Sequence, residues 1–408
     1  MNASEIMQIF RDTAYIRVSG SPEEMRTAEY LKNKVAGFGL EAAIEPFDVA
    51  MADVQEAHLV VDGEEVPCLG YRLSGSGSVE APLYHLDSRD AYSLSQCKDK
   101  IVMIDGYLGY WIYQDILENG AVGFITYNGN ANFADADIDN RELRPHVSKG
   151  RKILGANINA KTAIDLVRRR CKTAKICIKQ EESVGQSHNV ILDLPGEVDQ
   201  YVILSAHYDS VPLSVGTYDN MSGCVGLLAL AEYYAQHPHR FGIRFVWCGS
   251  EERGLLGSKA YCAAHEEDLK KAVLNINLDM IGSIMGKFIY CVTAEEKLGH
   301  YIEYLGAELG FGITGWQGVY SSDSTPFADH GVPSLSFARD AESNVATIHD
   351  RYDTIEVMSG EQMVDDIAFI RAFTDRMVNA QFCPVDRKIP DNMKEKLDYY
   401  LCRKREQK

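Results

Sequence analysis

Short apolar runs that end abruptly in polar residues dominate the second half of the chain. Such runs occupy 189–194, 201–206, 241–248 and 273–278, and this pattern is typical of buried strands in an α/β sheet. Between the second and third runs, residues 221–236 have the length and composition of a helix. The alternation of strand and helix predicts a sheet with helices packed on its faces.

Helix signals stand near both ends of the chain. Ser21 can cap a helix, Pro22 suits its first position, and Glu24 stands where a capping-box glutamate would. Apolar residues then recur at helical spacing until a pair of glycines ends the run. The segment 41–49 predicts a strand, and 393–408 predicts an amphipathic helix with a basic tip.

The middle of the chain has a different pattern. Residues 101–105 and 122–127 predict two short buried strands around a helix at 111–121, and 128–144 is a polar loop rich in Asn and Asp. This region has no cluster of His and carboxylates with metal-ligand spacing, which favours a lid or spacer without chemistry. The predicted domains are 1–52 joined with 184–408, and an inserted domain, 53–183.

Composition narrows the classes of function. A net charge of −18 argues against a nucleic-acid partner, which needs a basic surface, and against anionic membranes. No run approaches the ~18 apolar residues of a membrane span, and the start lacks a secretory signal. The ten cysteines include no C-x-x-C pair, so buried free thiols are expected. The cytoplasm is the predicted compartment.

Metal-competent side chains follow three of the predicted strands directly. His207 and Asp209 follow the run at 201–206, Glu251 and Glu252 come just after the next run, and Asp279 follows the last. Because ligands bind outside the carboxyl ends of the strands in open α/β sheets, we expect these side chains to meet at one edge.

Two loop residues could join this group. Asp219 precedes the predicted helix, and His349 lies in a late loop. Two imidazoles and several carboxylates suit zinc, and two-metal hydrolytic sites hold their ions roughly 3.5–4 Å apart. Of Glu251 and Glu252, one could ligate while the other takes a proton from water. Each residue alone has an ordinary explanation, such as a turn or a solvated helix start, but their convergence on one edge does not.

Five strings in this order resemble the motifs of the co-catalytic zinc aminopeptidases, a family that also includes glutamate carboxypeptidase II and the transferrin receptor. They run from His207 to Ser210, Asp219 to Gly223, Glu251 to Ser258, Asn277 to Gly282 and Ile348 to Thr354. The resemblance covers about 184–380, and 17–40 is similar to the family's opening helix. It implies an α/β zinc-exopeptidase fold, in which helices flank a mixed central sheet. Residues 53–183 resemble the smaller, β-rich α+β protease-associated (PA) domain that is often inserted there.

The resemblance also implies a role for each residue and two zinc ions per chain. The implied ligands are His207 and Asp279 for one ion, Glu252 and His349 for the other, and Asp219, followed by a cis peptide to Asn220, for both. Glu251 would act as general base and then as general acid. Asp209 would orient His207, as carboxylates commonly do for metal-bound imidazoles.

Two positions depart from the family's pattern. Ile348 stands before the last His, where many members carry a tyrosine that stabilises the oxyanion, and Tyr320 is the candidate replacement. Ser324 stands where the family has the His of a Ser-Asp-His string. That change alters the expected substrate pocket but removes no metal ligand.

The predicted function is therefore hydrolysis of the N-terminal residue from a peptide with a free N-terminus. The same site could serve a carboxypeptidase, a hydrolase of a non-peptide amide or a glutaminyl cyclase, which uses one zinc. Five filled ligand positions favour two metals. A non-catalytic binding protein on this scaffold would be expected to lack ligands or the base, and none is missing. The preferred N-terminal residue and the oligomeric state are not predicted.

Overall fold

A computed structural model describes residues 1–106 and 108–406. The chain divides into two compact units, a larger unit of Met1–Asp48 with Gln186–Lys408 and a smaller unit of Val49–Gly185. Among the described residues, no helix combines the length and the apolar character needed to cross a membrane.

The helices and strands alternate along most of the chain. The helices are α1 Ala3–Asp12, α2 Pro22–Gly37, α3 Ala91–Ser95, α4 Tyr110–Glu118, α5 Pro145–Ser148, α6 Ala160–Arg169, α7 Ser222–Tyr234, α8 Leu256–Ala264, α9 Glu296–Leu309, α10 Ser324–Asp329, α11 Gly360–Val378 and α12 Asp391–Tyr400. The strands are β1 Ala43–Val61, β2 Glu64–Val66, β3 Leu69–Gly70, β4 Gly77–Leu86, β5 Ile101–Ile104, β6 Gly123–Asn128, β7 Leu154–Asn159, β8 Thr173–Leu194, β9 Val198–His207, β10 Phe241–Cys248, β11 Ala272–Leu278, β12 Lys287–Thr293, β13 Thr314–Gln317 and β14 Ser334–Asp340.

The larger unit is built on a mixed sheet with the strand order β13-β12-β14-β11-β9-β10-β8. Its central strands β14, β11, β9 and β10 are mutually parallel, whereas β8 pairs antiparallel with β10 and β12 pairs antiparallel with β14. The carboxyl ends of β9, β10 and β11 therefore lie at the same edge, as the sequence predicts.

Helices cover both faces of this sheet because its strands are apolar on both sides. Side chains of α1, α2, α7, α9 and α11 pack with one face, and side chains of α8 and α10 pack with the other. Helix α7 is buried almost all round. Glycine lets it approach the sheet, since a Cβ on Gly223 would lie 2.3 Å from the carbonyl oxygen of Leu278.

Helix α2 begins as predicted, with one difference. The Ser21 side chain caps it by accepting a hydrogen bond from the Glu24 amide at 3.1 Å, and Pro22 occupies the first turn. The predicted capping box is wrong, because the Glu24 carboxylate accepts instead from the Gly20 amide at 2.6 Å and from the Ser187 hydroxyl at 2.5 Å. Glu24 thus ties the helix to the strand β8.

The smaller unit has its own sheet, in which β4, β5, β6 and β7 are parallel neighbours and β8 pairs antiparallel with β4. Strand β5 sends Ile101 and Met103 into one core, and Val102 and Ile104 into another. Within the described part of this unit, no three His, Cys, Asp or Glu side chains come close enough to share a metal ion.

Candidate metal centre

The strand ends deliver three of the predicted ligands to one edge of the sheet. His207 is the last residue of β9, Asp279 directly follows β11, and Glu252 lies in a short 3-10 turn, Glu251–Arg253, just after β10. The three strands are parallel neighbours, so residues distant in sequence become adjacent in space.

Two loops bring the remaining predicted ligands. Asp219 lies in the turn Thr217–Met221, where the backbone angles of Asp219 and Asn220 are not helical, and the peptide bond from Asp219 to Asn220 is cis, as predicted. The Asn220 amide oxygen accepts from the backbone amides of Gly223 at 2.9 Å and Met280 at 3.1 Å. Asn220 thereby fixes this turn beside the end of β11.

The five residues form two groups that share Asp219. The groups are His207 with Asp219 and Asp279, and Asp219 with Glu252 and His349; in each, one potential ligand atom per residue lies within 4.8 Å of the others. Asp219 Oδ1 is 3.1 Å from His207 Nε2, and Asp219 Oδ2 is 3.2 Å from His349 Nε2. The two oxygens of one carboxylate therefore face two different imidazoles.

The donor atoms suit a pair of zinc ions. His207 Nε2 is 3.7 Å from Asp279 Oδ1, and His349 Nε2 is 3.0 Å from Glu252 Oε2. Burial raises the pKa of both Asp279 and Glu252, and the nearby Asp219 carboxylate adds to each rise. Carboxylates crowded together in a buried site need a compensating cation, and mixed imidazole and carboxylate ligands are those that zinc accepts.

Glu251 lies beside the ligands but in neither group. Its Oε2 atom is 3.9 Å from His207 Nε2, and its side chain is only 13% exposed. Burial raises the pKa of Glu251 well above its usual range, against the opposing effect of His207, and Glu252 adds to the rise. A raised pKa suits a carboxyl group for taking up a proton and later giving it to a leaving group.

Asp209 makes one contact that the sequence predicts and two that it does not. Its Oδ1 atom is 3.5 Å from His207 Nδ1, which places it beside the imidazole it was predicted to orient. The same carboxylate accepts backbone hydrogen bonds from Glu251 at 2.8 Å and from Glu252 at 3.2 Å. Asp209 therefore also holds the turn that carries the predicted base.

The two positions that depart from the family's pattern differ in setting. Tyr320 is partly buried; burial raises the pKa of its phenol, and the Asp279 carboxylate adds to that rise, so the phenol lies within electrostatic reach of the ligands. Ser324 is 1% exposed, and its hydroxyl lies 2.9 Å from the Ser322 hydroxyl and 3.0 Å from that of Ser336. Ser324 thus belongs to a buried hydroxyl cluster.

Sequence reasoning missed one further carboxylate at the site. Asp353 is fully buried and accepts backbone hydrogen bonds from Tyr218 at 2.7 Å and Asp219 at 3.1 Å. Its place in the last of the five sequence strings, four residues after His349, was the only signal.

Known proteins resemble this chain in sequence and in fold. The family model described as Peptidase family M28 matches residues 189–373. Aminopeptidase YwaD from Bacillus subtilis (strain 168) is 28% identical over 367 residues, which cover 85% of this chain and 78% of that protein.

Solved structures match over nearly the whole chain. The zinc aminopeptidase BSAP from Bacillus subtilis superimposes with a TM-score of 0.77 at 24% identity, over 95% of this chain and 97% of that one. An aminopeptidase from Aneurinibacillus sp. strain AM-1 gives a TM-score of 0.73 at 23% identity, over 92% of this chain and 94% of that one. These likenesses confirm the predicted fold.

Proposed function

We propose that this protein is a zinc-dependent aminopeptidase that releases the N-terminal residue of peptides, because residues 189–373 match the model of Peptidase family M28. The observation that carries the proposal is the pair of ligand groups joined by Asp219, with a separate carboxyl group, Glu251, beside them. The similarity to aminopeptidase YwaD and to the fold of the zinc aminopeptidase BSAP supports it.

Two zinc ions per chain are part of the proposal. His207 and Asp279 would hold one ion, Glu252 and His349 the other, and Asp219 would bind both through its two oxygens. When bound, zinc supplies Lewis acidity that polarises a peptide carbonyl and lowers the pKa of a water molecule towards neutrality.

Side chains of the protein then transfer the protons and stabilise the developing charge. Glu251 takes a proton from the attacking water and later gives it to the departing amine, as its raised pKa permits. Asp209 keeps the backbone of Glu251 and Glu252 in place through its two accepted hydrogen bonds. Tyr320 donates a hydrogen bond from its phenol to the oxyanion of the tetrahedral intermediate.

The experiment that tests this function is a metal count per chain on gently purified protein, combined with turnover of a panel of aminoacyl chromogenic substrates. We expect two zinc ions and release of the chromophore that a chelator abolishes. Zinc without release would redirect the search to carboxypeptidase, non-peptide amide or cyclase substrates. A chain that takes up no metal after zinc is added would contradict the proposal.

Glu251→Gln gives the same experiment its matched variant. Glutamine keeps the shape of the side chain but cannot carry the proton, so activity should fall by about 10²–10⁴-fold. The zinc content should not change, because Glu251 belongs to neither ligand group. Full turnover in zinc-loaded Glu251→Gln would remove Glu251 from the mechanism.

A further inference from the structure

A buried carboxylate supports the bridging ligand from behind. Asp353 is fully buried, and each of its two oxygens accepts one backbone N–H, from Tyr218 at 2.7 Å and from Asp219 at 3.1 Å. The two consecutive amides therefore fix the backbone from which the Asp219 carboxylate projects.

The same loop carries a metal ligand and this carboxylate. His349 Nε2 is 3.2 Å from Asp219 Oδ2, and Asp353 lies four residues after His349. Asp350 orders the segment between them, since its Oδ1 atom accepts from the Tyr352 amide and the Thr347 hydroxyl, both at 2.9 Å. The loop thus contacts the Asp219 side chain through His349 and the Asp219 backbone through Asp353.

A buried arginine binds the loop that precedes the turn containing Asp219. Arg17 is fully buried and donates to the backbone carbonyl oxygens of Tyr208 at 2.7 Å, Val215 at 2.5 Å and Gly216 at 2.9 Å. These carbonyls lie at the two ends of the loop between His207 and the turn Thr217–Met221. Arg17 therefore fixes the loop by donating to the loop's carbonyl oxygens, whereas Asp353 fixes the turn by accepting from the turn's backbone amides.

We propose that Asp353, with Arg17 as its counterpart, is a positioning residue that keeps the two oxygens of Asp219 directed at two separate ligand groups. The inference rests on the proposed function only in requiring metal at this site. If the Asp353 carboxylate were lost, two buried amides would lack their acceptors, and the turn would be free to rotate Asp219 away from one imidazole. The affinity for metal would then fall, since Asp219 is the predicted ligand common to both groups.

The test is Asp353→Asn, with zinc affinity measured by competition against a chromophoric chelator. Asparagine has nearly the same size, but its NH₂ group cannot accept a hydrogen bond. We expect zinc affinity to fall about 10- to 100-fold, as is typical when a partner behind a metal ligand is removed. The matched control is Asp375→Asn in α11, whose carboxylate accepts from Tyr234 at 2.8 Å, and it should bind zinc like the wild type.

Two further measurements keep the inference open to refutation. Circular dichroism of the metal-free proteins shows whether each variant folds. If Asp353→Asn does not fold, the zinc affinity of Arg17→Lys tests the inference in its place. Lysine keeps the charge but lacks the planar group that reaches several carbonyls at once, so zinc affinity should fall in the same direction. A folded Asp353→Asn variant with wild-type zinc affinity overturns the inference.

The inference and the proposed function can fail separately. A wild-type protein that binds zinc but cleaves no aminoacyl substrate would refute the aminopeptidase, while the affinity difference between wild type and Asp353→Asn would still support the positioning role. A wild-type protein that binds no zinc would refute both.

Discussion

The carboxyl groups of this site differ in pKa because their neighbours differ. Burial alone would raise the pKa of Asp219, but hydrogen bonds with His207 and His349 outweigh it and hold that pKa below the usual range. For Glu251, burial dominates and the pKa rises well above the usual range. A lowered pKa suits Asp219 for binding metal in its charged form, and a raised pKa suits Glu251 for proton transfer.

Tyr320 gives the sharpest prediction at this scale. If its phenol donates to the oxyanion, Tyr320→Phe should lower kcat by about 10²–10³-fold, the usual cost of losing one such donor. The zinc content should stay unchanged, because Tyr320 is in neither ligand group.

The measurement is kcat and KM on the best aminoacyl substrate, with Tyr304→Phe as the control because that side chain is 77% exposed on α9. An unchanged kcat in Tyr320→Phe would mean that another group stabilises the oxyanion.

The residues that could be predicted are those that act through their own side chains at strand ends. His207 and Asp279 stood out because a polar group after an apolar run needs an explanation. Asp353 and Arg17 could not be predicted in the same way, since they act on backbone amides and carbonyls whose positions only the folded chain defines. Glu24 illustrates the same limit, because its acceptor role depends on Ser187 in a distant strand.

At the scale of secondary structure, apolar runs predicted strands well and mixed patterns did not. The run at 241–248 coincides with β10, and the helix predicted at 221–236 is α7, Ser222–Tyr234. Strand β8 extends back to Thr173, far before the predicted start at 189, because its first half alternates in burial and lacks a continuous apolar run. The C-terminal helix ends at Tyr400 rather than continuing through the basic tail.

The close approach of α7 to the sheet leads to a prediction about stability. A methyl group on Gly223 would meet the Leu278 carbonyl oxygen at 2.3 Å and the Asn220 amide oxygen at 2.6 Å. Gly223→Ala should therefore destabilise the protein by about 1–3 kcal/mol, the typical cost of overpacking.

Gly37 at the end of α2 provides the control, because a Cβ there meets nothing within 4 Å. Gly37→Ala should instead stabilise the fold by about 0.4–1 kcal/mol by restricting the unfolded chain. Urea unfolding of both variants measures the difference, and equal stabilities would contradict the packing described for α7.

For the molecule as a whole, the order of five short strings was enough to predict both family and fold. The match of residues 189–373 to the model of Peptidase family M28 agrees with the first prediction, and the superposition on zinc aminopeptidases confirms the second. The motifs that suggested the family are short and local in sequence, so they could be recognised without knowledge of the folded chain. The PA-like character of 53–183 and the cytoplasmic location stay predictions.

Metal binding should stabilise the whole larger unit, because its ligands come from separate elements and meet only in the folded state. Zinc at 100 times its dissociation constant should add about 2.7 kcal/mol per site. Melting followed by circular dichroism should show a higher Tm with zinc than with a chelator.

His207→Ala should largely remove that difference, whereas His300→Ala, an exposed position on α9, should preserve it. Equal Tm values for the wild type with zinc and with chelator would contradict metal binding to the folded state.

The spread of the ligands along the chain has a consequence for biosynthesis. His207 is made early in the larger unit's main segment, but His349 follows only after β11, β12, β13 and β14 have been synthesised. Parallel pairing of distant strands is slow and requires the intervening chain. A nascent chain on the ribosome therefore lacks one complete ligand group, and the proposed peptidase activity is withheld until translation has passed the last ligand.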